Sequence, residues 1–435
     1  MPEANEYNLN TGQMAADEAF LEFLLTDKKE FILSGAAGVG KTFLMNYFIN
    51  TTMPSYHKTC ALLGMKPKYN EVVMTATNNQ AASVLSEAVK RPTSTIHSFL
   101  NLKVNNDFST GKSFLSRTRN WMVHENKIIF IDECSMIDQD LMEMLHAGTK
   151  DCKIIYVGDH NQLPPVFEEL SPIYRRNAPF YELTEPMRNN GTPALMAICQ
   201  QLRETVETGE FKPIQLVPDV IIHLDDQQMQ DMLAETFEFN DNPSSRILAY
   251  TNKQVIDYNL YIRELRQLPE QFTQGEHVIS NTAIHNSRIS LSVQEALVID
   301  KIGVTEWVDI EKATDTKLEV INLTVSSPYK ASFDIKIPAD RDHFDRLLKY
   351  FKKNKNWERY YFLQENFADI RPSDASTVHK AQGSTFDSVF IDLENISRVT
   401  DPKVAARMLY VAFSRARKKV YLYGKLADRY GSVIK

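Results

Sequence analysis

Gly35, Ala36, Ala37, Gly38, Val39, Gly40, Lys41 and Thr42 satisfy GxxxxGK[ST], and Phe43 follows directly. The chemistry open to this spacing is phosphate capture. Glycines let successive backbone N–H groups turn inward around a phosphate, and a helix starting near the lysine adds its partial positive charge. Lys41 would reach the β- and γ-phosphates of a nucleoside triphosphate. Thr42 would place its hydroxyl on a magnesium ion shared with them, a hard cation that prefers oxygen ligands. Glycine is scarce, at 15 of 435 residues, so a chance match has odds on the order of one percent.

A second group supplies the rest of such a site. Asp132 and Glu133 end the apolar run 127–131, which reads as a buried strand. Asp132 would complete the magnesium coordination, and Glu133 would take a proton from the attacking water. An acidic pair after a strand is common on ordinary surfaces; its meaning here comes from the glycine loop. Gln162 lies just past a third strand, 152–159, where an amide can sense a γ-phosphate.

These groups need a scaffold that presents strand ends side by side. Runs 31–33, 72–79, 127–131 and 152–159 alternate with helical segments, which predicts an α/β doubly wound domain with a parallel sheet. The length of 435 residues demands several domains. With 43% hydrophobic and 24% charged residues the composition is globular, and no run of eighteen apolar residues suggests a membrane span. The polar, acidic first residues do not resemble a secretory signal, so a cytoplasmic protein is expected. Cys60, Cys134, Cys152 and Cys199 are scattered without metal-ligand spacing and read as reduced core residues. The net charge of −7 argues against coating nucleic acid by charge alone but leaves room for a local groove. Basic residues do cluster over 346–362 and 414–425, where a solvated helix face and a strand edge are the plain alternatives.

Ten stretches in order, "NTGQ", "GAAGVGKT", "TATNNQAA", "STIHSFL", "DECSM", "GDHNQLPPV", "LTEPMR", "LAYTNKQVIDYN", "STVHKAQGSTFD" and "YVAFSRAR", span nearly the whole chain. Together they resemble the superfamily 1 helicases, specifically the 5′-to-3′ branch (superfamily 1B) of the RecD and Dda type. That resemblance implies two RecA-like P-loop domains with ATP in the cleft between them, residues 1–186 and residues 187–274 with 368–435. It implies an SH3-like β-barrel insert at 275–367, and the short alternating runs over 277–337, followed by a basic helical stretch, suit one. By the same resemblance Arg188 and Arg415 are candidates for delivering positive charge to the γ-phosphate, against the ordinary alternative of surface ion pairs. Gln13 would read the adenine edge with its amide. Gln382 and Gly383 would link the nucleotide to the DNA track.

A single strand crossing two such domains needs phosphate contacts that do not read sequence. Asn78, Asn79, Thr95, His97, Asn252, Thr377, His379 and Lys380 are polar residues at strand ends that match family DNA positions, although each alone could be a cap or turn residue. Unwinding also needs a wedge. Residues 101–118 carry turn chemistry between strand-like flanks and read as a hairpin, with Phe108 or Phe114 either stacking on the last base pair or packing onto its own domain. The expected activity is ATP-driven, magnesium-dependent unwinding by a monomer acting on single-stranded and forked DNA, with a single-strand-binding, replication or recombination protein as a conceivable partner and no membrane. The competing readings are a translocase that strips proteins from DNA without processive unwinding and a metabolic P-loop kinase. The kinase reading leaves "STVHKAQG" and "SRAR" unexplained.

Overall fold

The computed structural model describes residues 8–110, 112–165, 168–185, 192–238, 243–285, 289–311, 316–327 and 330–434. A first parallel sheet runs in the order Phe180–Leu183, Glu30–Gly35, Lys153–Gly158, Lys127–Asp132, Glu71–Ala76, Thr93–Thr95. Its central strands are apolar throughout because helices cover both faces. Phe31, Leu33 and Phe130 enter one cluster with Phe20 and Phe48, while Ile129, Ile131 and Tyr156 enter the opposite one, as the two-residue period of a strand requires. This order puts the carboxyl ends at Gly35, Gly158 and Asp132 side by side. The segments carrying Lys41, Gln162 and Glu133 therefore leave the sheet along one edge, although they are far apart in the chain.

A second parallel sheet runs Ile221–Leu224, Ala416–Tyr423, Phe386–Asp392, Ser245–Ala249, Ala375–Thr377. The helices Pro193–Thr208 and Pro402–Ser414 pack together over its core. Between these elements lies a five-stranded antiparallel sheet, Lys330–Pro338, Thr316–Ser327, Ala296–Glu311, His277–Ser280, Ile370–Pro372, with the helices Arg341–Lys353 and Trp357–Asn366 following its third hairpin strand.

Two sequence boundaries shift. The chain does not re-enter the second parallel unit at 368, because Ile370–Pro372 pairs with His277–Ser280 in the antiparallel sheet and the crossing comes after residue 372. The strand expected over 72–79 stops at Ala76. Asn78 is instead the N-cap of the helix Asn79–Val89, its carboxamide oxygen accepting the Ala81 N–H at 2.8 Å, since a short polar side chain competes with the ladder for backbone donors. The four cysteines are free thiols, with Cys60, Cys134 and Cys152 buried. Among the described residues no helix is long and apolar enough to cross a membrane.

Candidate nucleotide and nucleic-acid site

Between the strand Glu30–Gly35 and the helix Lys41–Tyr47 the loop turns through Gly38 and Gly40, at φ +87° and +86°, a region that a side chain makes costly. Gly35 has a separate reason to lack one. A Cβ there would stand 2.7 Å from the Leu183 carbonyl oxygen of the neighbouring strand and 2.8 Å from Val39 Cγ2. Lys41 Nζ donates to the carbonyls of Gly35 at 2.6 Å and Ala36 at 3.0 Å, so the ammonium lies across the mouth of its own loop. Val39 is buried and Ala37 exposed, while Ala36, Thr42 and Phe43 are half-buried.

Asp132 and Glu133 face this loop from two strands away. Burial, then the like charge of Glu133, pushes the Asp132 carboxyl up to about 7, and Lys41 opposes the shift. A carboxyl under that strain is suited to a cation. Glu133 sits at φ +53° and keeps its Oε2 buried without a hydrogen-bond partner. Gln162 Oε1, Gln13 Nε2 and Gln382 Oε1 are buried and unpaired in the same way. Native interiors seldom leave polar atoms so, unless something else is meant to meet them. Gln13 is wholly buried, and the rest of its side chain is used in a capping box with Asn10 at the start of the helix Thr11–Leu25.

The second parallel unit reaches into this cleft. Gln382 Nε2 donates to Ser135 Oγ at 3.2 Å and to the Leu163 carbonyl at 3.3 Å. A side chain at Gly383 would lie 4.0 Å from Glu133 Oε1 and 3.9 Å from Asn78 Nδ2. Arg415 is at the end of the helix Pro402–Ser414, buried, and its guanidinium donates to the Ser384 carbonyl at 3.0 Å, the Val411 carbonyl at 3.2 Å and Ser414 Oγ at 2.9 Å. In this conformation its donors are committed within its own unit, next to the Gln382–Gly383 turn. Arg188 lies outside the described residues.

The candidate nucleic-acid residues fall into two groups. Thr95 caps the helix Ile96–Phe99, its Oγ accepting the Ser98 N–H at 3.2 Å, and burial holds the neighbouring His97 below the usual histidine range. With Asn78 and the exposed Asn79 these stand at the carboxyl edge of the first sheet. Asn252, Thr377 and Lys380 line one narrow cleft between the second sheet and the antiparallel insert, while His379 is exposed beside it. Sequence reasoning missed the insert's share of that cleft, Asn281, Gln294 and Arg371. Lys380 Nζ donates to Asn281 Oδ1. No pattern in the chain pairs residues a hundred positions apart, so only the fold reveals this set.

Strands Leu102–Asn106 and Ser113–Arg117 pair antiparallel and project Phe108 and Phe114, which are 54% and 48% exposed. Phe108 meets Tyr361 of the helix Trp357–Asn366 edge-on at 5.7 Å, and Asn106 Nδ2 donates to Glu365 Oε1 at 2.6 Å. The paired strands therefore rest on the insert, a contact the sequence reading did not include.

A glycine phosphate loop, an acidic pair at a strand end two strands away and a second parallel unit reaching into the cleft between them define a two-lobed P-loop nucleoside triphosphatase. Residues 19–168 match the AAA domain model, and residues 372–423 match the UvrD-like helicase C-terminal domain model. The chain is 24% identical over 457 residues to the ATP-dependent DNA helicase dda of Enterobacteria phage T4, covering 95% of this chain and 99% of that helicase. Its fold is similar to a Pif1 helicase from a structure of DNA unwinding at forked dsDNA, with a TM-score of 0.55, 14% identity, and 98% and 94% of the two chains covered. It is also similar to Bacteroides Pif1 solved with ADP-AlF3 and ssDNA, with a TM-score of 0.53, 14% identity, and 97% and 94% coverage. These similarities support the resemblance to superfamily 1B helicases that the motifs carry.

Proposed function

We propose that the chain is an ATP-dependent DNA helicase that moves 5′ to 3′ along single-stranded DNA and separates the duplex ahead of it. The observation that carries this reading is a set of buried, unpaired polar atoms, Gln13 Nε2, Glu133 Oε2, Gln162 Oε1 and Gln382 Oε1, contributed by both parallel units, with Gln382 bonded to Ser135 just past the acidic pair. The attacking water would donate to the acceptors Glu133 Oε2 and Gln162 Oε1, and the donor Gln13 Nε2 would meet an acceptor on the adenine edge. Thr42 and Asp132 are the residues that would hold magnesium, and the raised Asp132 carboxyl fits a cation partner. Magnesium bound there would neutralise charge on the β- and γ-phosphates. Lys41 Nζ would exchange its loop carbonyls for phosphate oxygens, and Glu133 Oε2 would accept the proton of the attacking water. Arg415 would have to leave its present partners in its own unit to reach the γ-phosphate, which ties hydrolysis to a rearrangement of that side chain.

Asn78, Asn79, Thr95 and His97 on one unit and Asn252, Thr377, His379 and Lys380 on the other would grip the strand's phosphates as the units approach and part. We read the antiparallel sheet as the SH3-like insert and the paired strands resting on it as the wedge. Lys41→Ala should abolish hydrolysis while single-strand binding remains within a few-fold, since Lys41 is not one of the residues assigned to the strand's phosphates. ATPase that single-stranded DNA fails to stimulate would end the translocase reading. Stimulated ATPase with an intact forked duplex would favour protein displacement without unwinding, and duplexes carrying a 5′ or a 3′ tail would decide direction.

A further inference from the structure

The loop that carries Gln162 leaves the first sheet at Gly158 and keeps the His160 ring on it, against Ser34 Oγ at 2.9 Å and the rings of Tyr174 and Phe180, yet each of its residues also has a partner in the second unit. Arg407, on the helix Pro402–Ser414, donates through one guanidinium nitrogen to the His160 carbonyl at 2.5 Å and the Gln162 carbonyl at 2.8 Å. One turn further along that helix, the hydroxyl of the buried Tyr410 donates to Asp159 Oδ2. Asn161 Nδ2 donates to Glu207 at 2.8 Å, on the helix Pro193–Thr208. Arg203, on the same helix, lies 3.8 Å from Asp159 Oδ1 and 2.5 Å from Glu182 Oε1 of the first sheet's edge strand. Leu163 is buried in the apolar core of the second unit. All five residues from 159 to 163 are thus fastened across the cleft.

We propose that Arg407 and Tyr410 are positioning residues that clamp the Gln162 loop to the helix ending at Arg415, so that the position of the γ-phosphate-facing amide is coupled to that of the arginine. This rests on the reading of Gln162 as a nucleotide-facing residue. The physical case is geometric. Carbonyl oxygens in a tight loop point outward and must be met by donors, and a guanidinium meets two of them from a fixed plane. The Asp159 carboxylate, with no solvent exposure, is met by the Tyr410 hydroxyl and the Arg203 charge. Holding the backbone on both sides of residue 162 constrains where the side chain points without using its Oε1, which stays unpaired. Arg407 touches no nucleotide position; it acts through the main chain of residue 162.

The test is steady-state ATPase with saturating single-stranded DNA on the full chain. Arg407→Ala should lower the stimulated kcat by about tenfold to a hundredfold, the loss expected for a charged donor to two carbonyls. KM for ATP and single-strand affinity should stay within about threefold. Arg407→Lys should recover part of the loss, and Tyr410→Phe, which keeps the buried ring, should lower kcat several-fold. Should Arg407→Ala fail to fold, Arg407→Lys and Tyr410→Phe carry the test. A cycle with Gln162→Ala should be non-additive, because the clamp acts through that residue. Normal kcat in Arg407→Ala, or parallel changes in kcat, KM and DNA affinity, would overturn the clamp. If Gln162→Ala itself leaves kcat unchanged, the reading of Gln162 fails first; if it lowers kcat while the two clamp variants do not, the clamp alone fails.

Discussion

The contact between the paired strands 102–106 and 113–117 and the insert sets a measurable expectation for strand separation. A wedge can split base pairs only if it does not yield when the duplex pushes back. Its recorded supports on the insert are the Phe108–Tyr361 edge-on ring pair at 5.7 Å and the Asn106–Glu365 hydrogen bond at 2.6 Å. The ring pair contributes about 1 kcal/mol. The amide-to-carboxylate bond, partly open to water, contributes about another 1 kcal/mol. Removing both therefore shifts the ratio of docked to undocked hairpin by about thirtyfold, and removing one by about fivefold. Phe108→Ala with Asn106→Ala should lower forked-duplex unwinding per ATP hydrolysed by up to that thirtyfold factor. Single-strand-stimulated ATPase should be unchanged, because neither residue belongs to the nucleotide cleft, and the melting temperature should move little. Phe114→Ala, which leaves both supports intact, should affect unwinding only through lost base stacking, worth about 1–3 kcal/mol. If the double variant unwinds as efficiently per ATP as the wild type, the docked hairpin is not the wedge; if its ATPase falls in step with unwinding, these residues belong to the general fold.

Two further expectations concern stability. Burial alone would raise the Asp369 carboxyl, but Arg371 at 3.1 Å, Arg341 at 2.9 Å and Asn281 at 2.6 Å outweigh it and hold the group below the usual range. A carboxyl lowered on folding stabilises the protein above its unfolded value of about 4, and that contribution disappears as pH falls through the folded value. Asp369→Asn should therefore cost about 2–3 kcal/mol at pH 7, and denaturant titrations should find the gap to wild type closing in acid. A gap that stays constant down to pH 2 would refute the assignment. Separately, buried Lys153 donates to the carbonyls of Phe23 at 2.8 Å, Thr26 at 2.6 Å and Lys28 at 2.5 Å, closing the end of the helix Thr11–Leu25. Lys153→Met should lose about 2–4 kcal/mol in chemical denaturation by taking the shared donor from those carbonyls, of which Phe23 keeps Thr26 as a partner, and a loss under 1 kcal/mol would show that water replaces the ammonium.

Much of this protein was legible in its chain because the decisive signals are local. The turn at Gly38 and Gly40 needs residues without side chains, the flanking apolar runs need burial on both faces, and Asp132 and Glu133 stand where such a strand must end. Those constraints act within a few residues, so type and spacing alone announced the phosphate loop, the acidic pair and the parallel sheets. Asn78 was legible as a polar strand-end residue, but its role as a helix cap took the strand's true end at Ala76 to settle. The tertiary structure alone decided what meets across the cleft: Arg407 on the carbonyls of residues 160 and 162, Gln382 on Ser135, Lys380 on Asn281, and Phe108 on Tyr361. These partners lie roughly 100 to 250 positions apart in the chain. Pairings at such separation are set by the packing of whole helices and sheets, and that packing has no local period or spacing that a sequence can display.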